Sequence, residues 1–362
     1  MKKIAIIGSV GVPACYGGFE TLAENLVKEL SKKYEITVYC SYKAYKEHPA
    51  EWNGARLKYI NLNANGLSCL PYDTLSALDA ARYADVLLLL GSNAIFIIAI
   101  LKLFGYRKRV ITNIDGLESS REKFNFFLKI YCIIIEKLAM LFSDYIIADN
   151  KAIKDRVVES YPHKAHQCVL IEYGGDHCVP VSTSPDDILK YPFLNDYYAF
   201  SVCRIEKENN VHLTLEAFSR MPEKKLVIVG NWNKSSFSKE LKTKYSKYRN
   251  IILYDPIYDP RIINLFRCNS SFYIHGHHCG GTNPSLVEAM CLGCAILAYD
   301  VSYNKETTEY LAQYFKNASD IQSLITSITD KQISVLKENM KSIAYRRYTW
   351  KRIAMLYSSL FD

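Results

Sequence analysis

Short apolar runs recur along the chain, each closed by a polar or glycine-containing turn. In the first half they fall at residues 3–8, 35–40, 57–62, 85–90, 109–113 and 144–148. In the second half they fall at 197–204, 226–230, 251–254, 271–275 and 295–299. Such runs are too short for helices and read as strands buried on both faces. The segments between them carry a helical period. Residues 18–31, for example, put Phe19, Leu22, Ala23, Leu26, Val27 and Leu30 on one stripe. Strands alternating with helices predict an α/β protein of two doubly wound, mostly parallel sheets. Residues 172–176 are expected to end the last strand of the first half, and the proline- and serine-containing stretch 179–187 to link the halves.

Two stretches are unusually apolar. Gly91, Ser92 and Asn93 divide the first into a strand (85–90), a loop and a buried helix (94–104), leaving no run of the ~20 residues a membrane span needs. The second, 124–142, predicts a long helix whose few charges are Lys129, Glu136 and Lys137. It suits a helix covering the sheet, with part of one face able to touch lipid. Residues 3–8 run straight into a glycine turn and read as a first strand rather than a secretory signal.

The chemistry concentrates in residues 271–293. A strand ends at His275, a glycine- and histidine-rich loop follows, and then a helix with Asn283 as cap, Pro284 in its first turn and Gly293 at its end. The next strand begins at once, so the loop lies at the carboxyl end of a parallel strand and faces a helix N-terminus. Phosphate is well received there. Gly280 and Gly281 let the main chain approach a ligand. Glu288, just over one turn in, would repel phosphate but can accept hydrogen bonds from paired ribose hydroxyls. A tight turn with a surface glutamate would fit each feature singly; their coincidence favours a nucleotide. A second glycine-rich loop, 8–20, is no nicotinamide-cofactor fingerprint. Gly8 and Gly11 do not form GxGxxG, and the second strand ends in Cys40 and Ser41 with no acidic residue.

Composition narrows the setting. The chain has 362 residues, 49% hydrophobic and 23% charged, enough for two ordinary cores. The net charge of +8 comes with no zinc-finger spacing, RNA-binding signature or dense basic run, so nucleic acid is not the expected partner. Anionic lipid or a pyrophosphate-bearing substrate accounts for it better. The 28 tyrosines suit sugar and membrane-interface surfaces. Of the 11 cysteines only Cys291 and Cys294 have CxxC spacing, too few for a four-ligand zinc site, and reduced cytoplasmic thiols are expected.

Gly280-Gly-Thr282-Asn283-Pro-Ser-Leu-Val-Glu288-Ala-Met resembles the nucleotide-sugar loop of glycosyltransferase family 4. The preceding Tyr-Ile-His275-Gly-His narrows the resemblance to its bacterial rhamnosyltransferase branch. Gly11-Val-Pro-Ala-Cys-Tyr16-Gly17-Gly18-Phe-Glu20-Thr is similar to the N-terminal signature of the same branch, and Asn113-Ile-Asp115-Gly-Leu-Glu118 to another of its segments, with Ser119 where a tryptophan is usual. Arg204 matches the arginine of the family's Arg-x4-Lys, while Asn209 stands at the lysine. In the family's Glu-x7-Glu, Glu288 is the second glutamate and Gly280 replaces the first.

The resemblance implies a GT-B fold of two Rossmann-like domains facing across a cleft: residues 1–178 on the acceptor side, 179–345 binding the nucleotide sugar, and a helix within 346–362 crossing back. It implies catalytic roles for Arg204, Asp115 and Glu118. Donor contacts would come from Gly17, Gly18, Asn209, Asn210, His275, Gly280, Gly281, Thr282, Asn283 and Glu288, and acceptor contacts from Tyr16, Glu20 and Arg121. Loop capping for Asp115, and a structural ion pair for Arg204, are alternative readings. The implied activity is retaining transfer of L-rhamnose from dTDP-rhamnose to a lipid-linked saccharide of O-antigen or capsule, on the inner face of the cytoplasmic membrane. No cofactor is expected, and no metal, since Asp-x-Asp occurs nowhere in the chain. A nucleotide-sugar 2-epimerase of the same fold and a non-catalytic sugar-nucleotide-binding protein are the alternatives.

Overall fold

The computed structural model describes residues 1–362 except Tyr16 and residues 115–125; for Leu67 and residues 126–128 it describes the backbone alone. The chain forms two units, Met1–Tyr173 with Trp350–Asp362, and Gly174–Thr349.

The first unit runs β1 (Lys3–Ile7), α1 (Gly18–Leu30), β2 (Glu35–Ser41), β3 (Glu51–Trp52), β4 (Ala55–Ile60), α2 (Cys69–Ala81), β5 (Val86–Leu90), α3 (Ile95–Leu103), β6 (Arg109–Ile114), α4 (Phe126–Phe142), β7 (Tyr145–Ala148), α5 (Lys151–Ser160) and β8 (Cys168–Leu170). Among the described residues the strands form one sheet in the order β3-β4-β2-β1-β5-β6-β7-β8. Its pairs are parallel except β3 with β4. The apolar runs become strands because both faces are covered: every residue of β5, Val-Leu-Leu-Leu-Leu, is buried.

Two expectations need correction. The last strand of this unit is β8, ahead of 172–176. Pairing ends where the Ile171 amide bonds Ala148, and from Gly174 the chain belongs to the second unit. The helix after β5 is not buried all round: Phe96, Ile100, Leu103 and Phe104 are exposed, because only the opposite face, with Ile95, Ile98 and Ala99, meets the sheet. Tyr39, Tyr72, Tyr198, Tyr273, Tyr348 and Tyr357 are fully buried, their apolar rings filling core space. The β3–β4 hairpin is a further element, encoded locally. Its turn is Asn53-Gly54, both at positive φ (45° and 82°), the sequence that a tight hairpin turn demands.

The second unit runs α6 (Pro185–Lys190), β9 (Tyr198–Val202), α7 (Val211–Ser219), β10 (Lys225–Val229), α8 (Ser236–Tyr245), β11 (Ile251–Tyr254), α9 (Pro260–Asn269), β12 (Phe272–His275), α10 (Pro284–Cys291), β13 (Ile296–Tyr299), α11 (Ser302–Thr307), β14 (Gln313–Phe315), α12 (Ala318–Ser327) and α13 (Asp330–Arg347). Its sheet is parallel, in the order β11-β10-β9-β12-β13-β14. The strand order reverses between β9 and β12. Loops leaving those two strands diverge to either side, and such a switch point is where open α/β sheets take ligands. The last helix, α14 (Trp350–Phe361), belongs to the first unit. The Tyr34 hydroxyl bonds Ser358 Oγ at 2.8 Å, and Asn113 Nδ2 donates to the Tyr357 hydroxyl at 2.6 Å. None of the eleven cysteines is in a disulfide.

Candidate functional site

Two loops of the second unit meet at the switch point, 203–210 after β9 and 276–283 after β12. Contact between them depends on Gly276, where a Cβ would lie 2.2 Å from the Asn209 carbonyl oxygen. Asn210 takes a left-handed conformation (φ 47°, ψ 29°) and its Nδ2 donates to the Gly276 carbonyl at 3.0 Å. Asn209 is buried, its Nδ2 donating to the Arg204 carbonyl at 2.7 Å while its Oδ1 lies 2.5 Å from His277 Nδ1. The Asn304 amide secures the same loop by donating to the His277 carbonyl at 2.9 Å.

These loops and the start of α10 enclose a cavity of about 140 Å³ lined by Arg204, Asn209, His275, His277, Asn283 and Ser285, among others. Asn283 caps α10: its Oδ1 accepts from the Ser285 amide at 3.0 Å and from Ser285 Oγ at 2.9 Å. His275, the last residue of β12, is 4% exposed and its Nε2 has no hydrogen-bond partner. Burial, and secondarily His277, push its imidazole down to about 3, so it is neutral at physiological pH. An orphaned ring nitrogen on the wall of a polar cavity is a feature a ligand can complete. Arg204, 44% exposed, faces the same cavity, with Nη2 3.7 Å from Glu208 Oε1. That separation makes a loose, water-screened pair and leaves the guanidinium able to turn to an anion. Lys207 is exposed.

Glu288 lies on α10, held from two sides. Its Oε2 accepts from Arg267 Nη2 at 2.6 Å, and its Oε1 lies 3.4 Å from His177 Nε2. Burial alone would raise the carboxyl, but Arg267 and His177 hold it below its ordinary value. Burial likewise opposes charge on His177, yet Cys178 and Glu288 push it up to about 10. Arg267, on α9, is 3% exposed, so its charge is committed to this cluster. Neither partner had been singled out in the sequence. Arg267 lies in an ordinary amphipathic helix and His177 in a loop, and only folding brings them to Glu288. The ligand atoms of His177, Cys178 and Glu288 lie within 4.8 Å of one another, close enough to bridge a metal ion. The Arg267 guanidinium, on Glu288 and 3.8 Å from Cys178 Sγ, already supplies positive charge to that group.

Gly280 takes φ +100°, and Thr282 is buried beside it; Gly281 completes the turn. The second unit therefore brings Arg204, Asn209, Asn210, His275, Gly280, Gly281, Thr282, Asn283 and Glu288 into one loop-and-helix cluster. The remaining residues belong to the first unit. Gly17 and Gly18 start α1. Glu20 is buried, and its Oε1 accepts the Val10 amide at 2.9 Å, bracing the glycine-rich loop itself. Burial raises its carboxyl, with bonds from the Val10 and Glu20 amides opposing. Tyr16, Asp115, Glu118 and Arg121 lie outside the described residues.

Comparison with known proteins agrees with this architecture. Residues 187–347 match the family described as Glycosyl transferases group 1, and residues 1–176 match Domain of unknown function (DUF1972). An uncharacterized glycosyltransferase of Methanocaldococcus jannaschii is 26% identical over 261 residues, covering 68% of this chain and 64% of that protein, just under two thirds of its length. Among solved structures, sucrose-phosphate synthase from Thermosynechococcus elongatus superposes with a TM-score of 0.82 at 16% identity, covering 100% of this chain and 98% of that one. Alr3699/HepE of Anabaena, in complex with UDP-glucose, gives 0.76 at 17% identity, covering 99% and 98%. The fold is GT-B, two Rossmann-like α/β domains. The second-unit match is to glycosyl transferases group 1, and none of these relatives singles out a rhamnosyltransferase branch.

Proposed function

We propose that this chain, whose second unit is a glycosyl transferases group 1 domain, moves a sugar from a nucleoside diphosphate donor to an acceptor hydroxyl with retention at the anomeric carbon. The observation that carries the reading is the cavity at the β9/β12 switch point, where Arg204, the unpartnered His275 and the first turn of α10 converge, with Glu288 one turn further in. The diphosphate sits at the helix N-terminus, where the dipole and Arg204 offset its charge. Ribose hydroxyls donate to Glu288, whose remaining lone pairs are aligned by Arg267 and His177. A donor of the UDP-glucose kind is bound by a protein of the same fold, which supports the class of ligand.

In the reaction the bond from the anomeric carbon to the phosphate oxygen breaks as the acceptor oxygen bonds that carbon on the same face. The acceptor's proton passes to the departing phosphate oxygen. Gly280 offers no carboxylate for double displacement. Arg204 stabilises the charge growing on the diphosphate, so it acts more on turnover than on donor affinity. No metal enters this scheme. For the finer specificity, the motif resemblance supports L-rhamnose from dTDP-rhamnose as donor and a lipid-linked saccharide as acceptor, with Asp115 and Glu118 beside the reacting groups and Tyr16, Glu20 and Arg121 toward the acceptor. A lipid-borne acceptor fits the exposed apolar residues of α3 and α4, which are flanked by Arg107, Lys108 and Lys137. Among the described residues no helix is long and apolar enough to cross a membrane, so contact would be peripheral.

The test is incubation with labelled nucleotide sugars and a lipid-linked acceptor, with NMR of the product's anomeric centre. Transfer with retention is expected. An epimerised donor would favour the epimerase, and binding without turnover the non-catalytic reading. Arg204→Gln should cut turnover by about 100-fold, with Arg204→Lys recovering only part because the forked geometry is lost.

A further inference from the structure

Three neighbouring strands of the first sheet run parallel, β1 beside β2 and β2 beside β4, so the loops that leave them emerge at one edge. Hydrogen bonds staple those loops together. The Ser41 amide donates to the Val10 carbonyl at 2.8 Å, and Ser41 Oγ to the Leu62 carbonyl at 2.7 Å. At this edge four aromatic rings gather. Tyr42 and His48, just past β2, stack with centroids 3.7 Å apart and planes 5° apart. Tyr59, near the end of β4, stands edge-on to both, at 6.4 Å and 4.9 Å, and Tyr45 lies 6.4 Å from Tyr59. Three of the four commit a polar atom to main chain. The Tyr45 hydroxyl donates to the Pro13 carbonyl, on the glycine-rich loop, at 3.0 Å. The Tyr59 hydroxyl donates to the Pro49 carbonyl at 3.2 Å, and His48 Nε2 lies 2.8 Å from the Tyr42 carbonyl. Tyr42 differs. His48 covers one face of its ring, yet the residue is 48% exposed, so the other face is open. Its hydroxyl makes no bond among the described residues.

An open ring face held in place by anchored neighbours is a preformed stacking surface, with little ordering left to be done when a ligand arrives. Resting on the acceptor reading above, we propose that Tyr42 is a stacking platform for a neutral pyranose ring of the acceptor saccharide, at the carboxyl edge of the first sheet. A pyranose carries polarised C–H groups on its faces and hydroxyls around its rim. The C–H groups meet the negative face of the tyrosine ring, and the exposed Lys43, Lys46 and Glu47 of the same segment supply donors and acceptors for the hydroxyls. Charge favours this occupant over an anionic one. Residues 42–51 set Lys43 and Lys46 against Glu47 and Glu51, two of each sign, so no net field draws a phosphate or an anionic headgroup here. Nor does that stretch carry an aliphatic side chain larger than Ala or Pro that would enter a bilayer beside the ring. The acceptor contacts that the resemblance implies, Tyr16 and Glu20, belong to the glycine-rich loop after β1. Tyr42 leaves the next strand over, which suits a ring further along the acceptor than the one receiving the sugar.

The experiment is saturation-transfer NMR of the full chain with the methyl glycosides of glucose, rhamnose and N-acetylglucosamine in turn. Saturating the protein's aromatic protons should reach the C–H protons on one face of at least one glycoside, and those signals should move upfield in the ring current. Tyr42→Phe should keep both effects. Tyr42→Leu, which retains bulk without a π face, should weaken binding about tenfold. With the lipid-linked acceptor, Tyr42→Leu should raise the acceptor KM by about tenfold while binding UDP and dTDP as wild type does, a split that general unfolding would not produce. Signals from none of the glycosides, or undiminished signals in Tyr42→Leu, overturn the platform. An unchanged acceptor KM in Tyr42→Leu overturns it too, while leaving glycosyl transfer standing. Sugar binding that depends on Tyr42, in a chain that transfers no sugar, overturns the transferase reading and leaves Tyr42 as a saccharide site.

Discussion

At the scale of single residues, Glu288 shows how a ligand contact and a structural contact share one side chain. Its carboxylate accepts from Arg267 on one oxygen and faces His177 with the other, yet each oxygen keeps a lone pair for a hydroxyl. Glu288→Ala should therefore cost twice: about 2–4 kcal/mol of donor binding from lost charged hydrogen bonds, and about 3 kcal/mol of stability because Arg267 stays buried and unpaired. Nucleotide titration and denaturant unfolding read the two separately. The same cluster sets a pH window. Glu288 is held below its unfolded value, so its contribution is present above about pH 4.3 and lost as the solution becomes more acid. His177 is raised to about 10, so its contribution is full below about pH 6.5 and lost as pH climbs through 10. Stability of the second unit should peak between those limits. In His177→Gln the alkaline decline should flatten, as thermal unfolding against pH will record.

At the scale of elements, α3 and α4 each bury one face and expose another that is just as apolar. Phe96, Ile100 and Leu103 recur at helical spacing on α3, and Ile130, Ile133, Ile134 and Leu141 do so on α4. A helix touching only water on that side gains nothing from such residues, whereas a lipid surface buries them. Binding to anionic vesicles should weaken as salt rises, because the basic residues nearby are screened. Replacing Leu103 and Ile133 with serine should reduce the part that survives in high salt. Cosedimentation measures both, and equal binding by the variant would rule out these faces. Neither residue packs in the core, so the fold should be unaffected.

At the scale of the whole molecule, the last helix stabilises a unit that its neighbours in sequence do not belong to. Ile353, Tyr357, Leu360 and Phe361 are buried in the first unit, although α13, just before them, is part of the second. Full burial of such side chains stabilises by roughly 1.5–3 kcal/mol each, an upper estimate for a compact unfolded state. A chain ending at residue 349 should thus lose about 5 kcal/mol or more from the first unit, a large share of a typical domain's stability. Limited proteolysis should then cut within residues 1–173 while the second unit stays protected. If the shortened chain resists cleavage there, the helix is dispensable.

The sequence by itself determined most of the elements and the fold class, though not β3 or β8. Apolar runs at strand length, helical stripes between them and the cap at Asn283 are local signals, and they survive in the structure with ends moved by a residue or two. The loop pattern also marked Gly280 and Glu288 for one chemistry, and the family resemblance added Arg204, Asn209 and His275. What the sequence did not determine was partnership. Arg267 and His177 meet Glu288 across long stretches of chain, and Asn209 meets His277 only because β9 and β12 are neighbours with Gly276 between the loops. Exposure of one face of α3 was equally unreadable, since periodicity shows which residues share a face but not whether anything covers it. Local pattern is written in a few consecutive residues, whereas burial, charge pairing and tautomer depend on which distant elements the sheet order sets side by side.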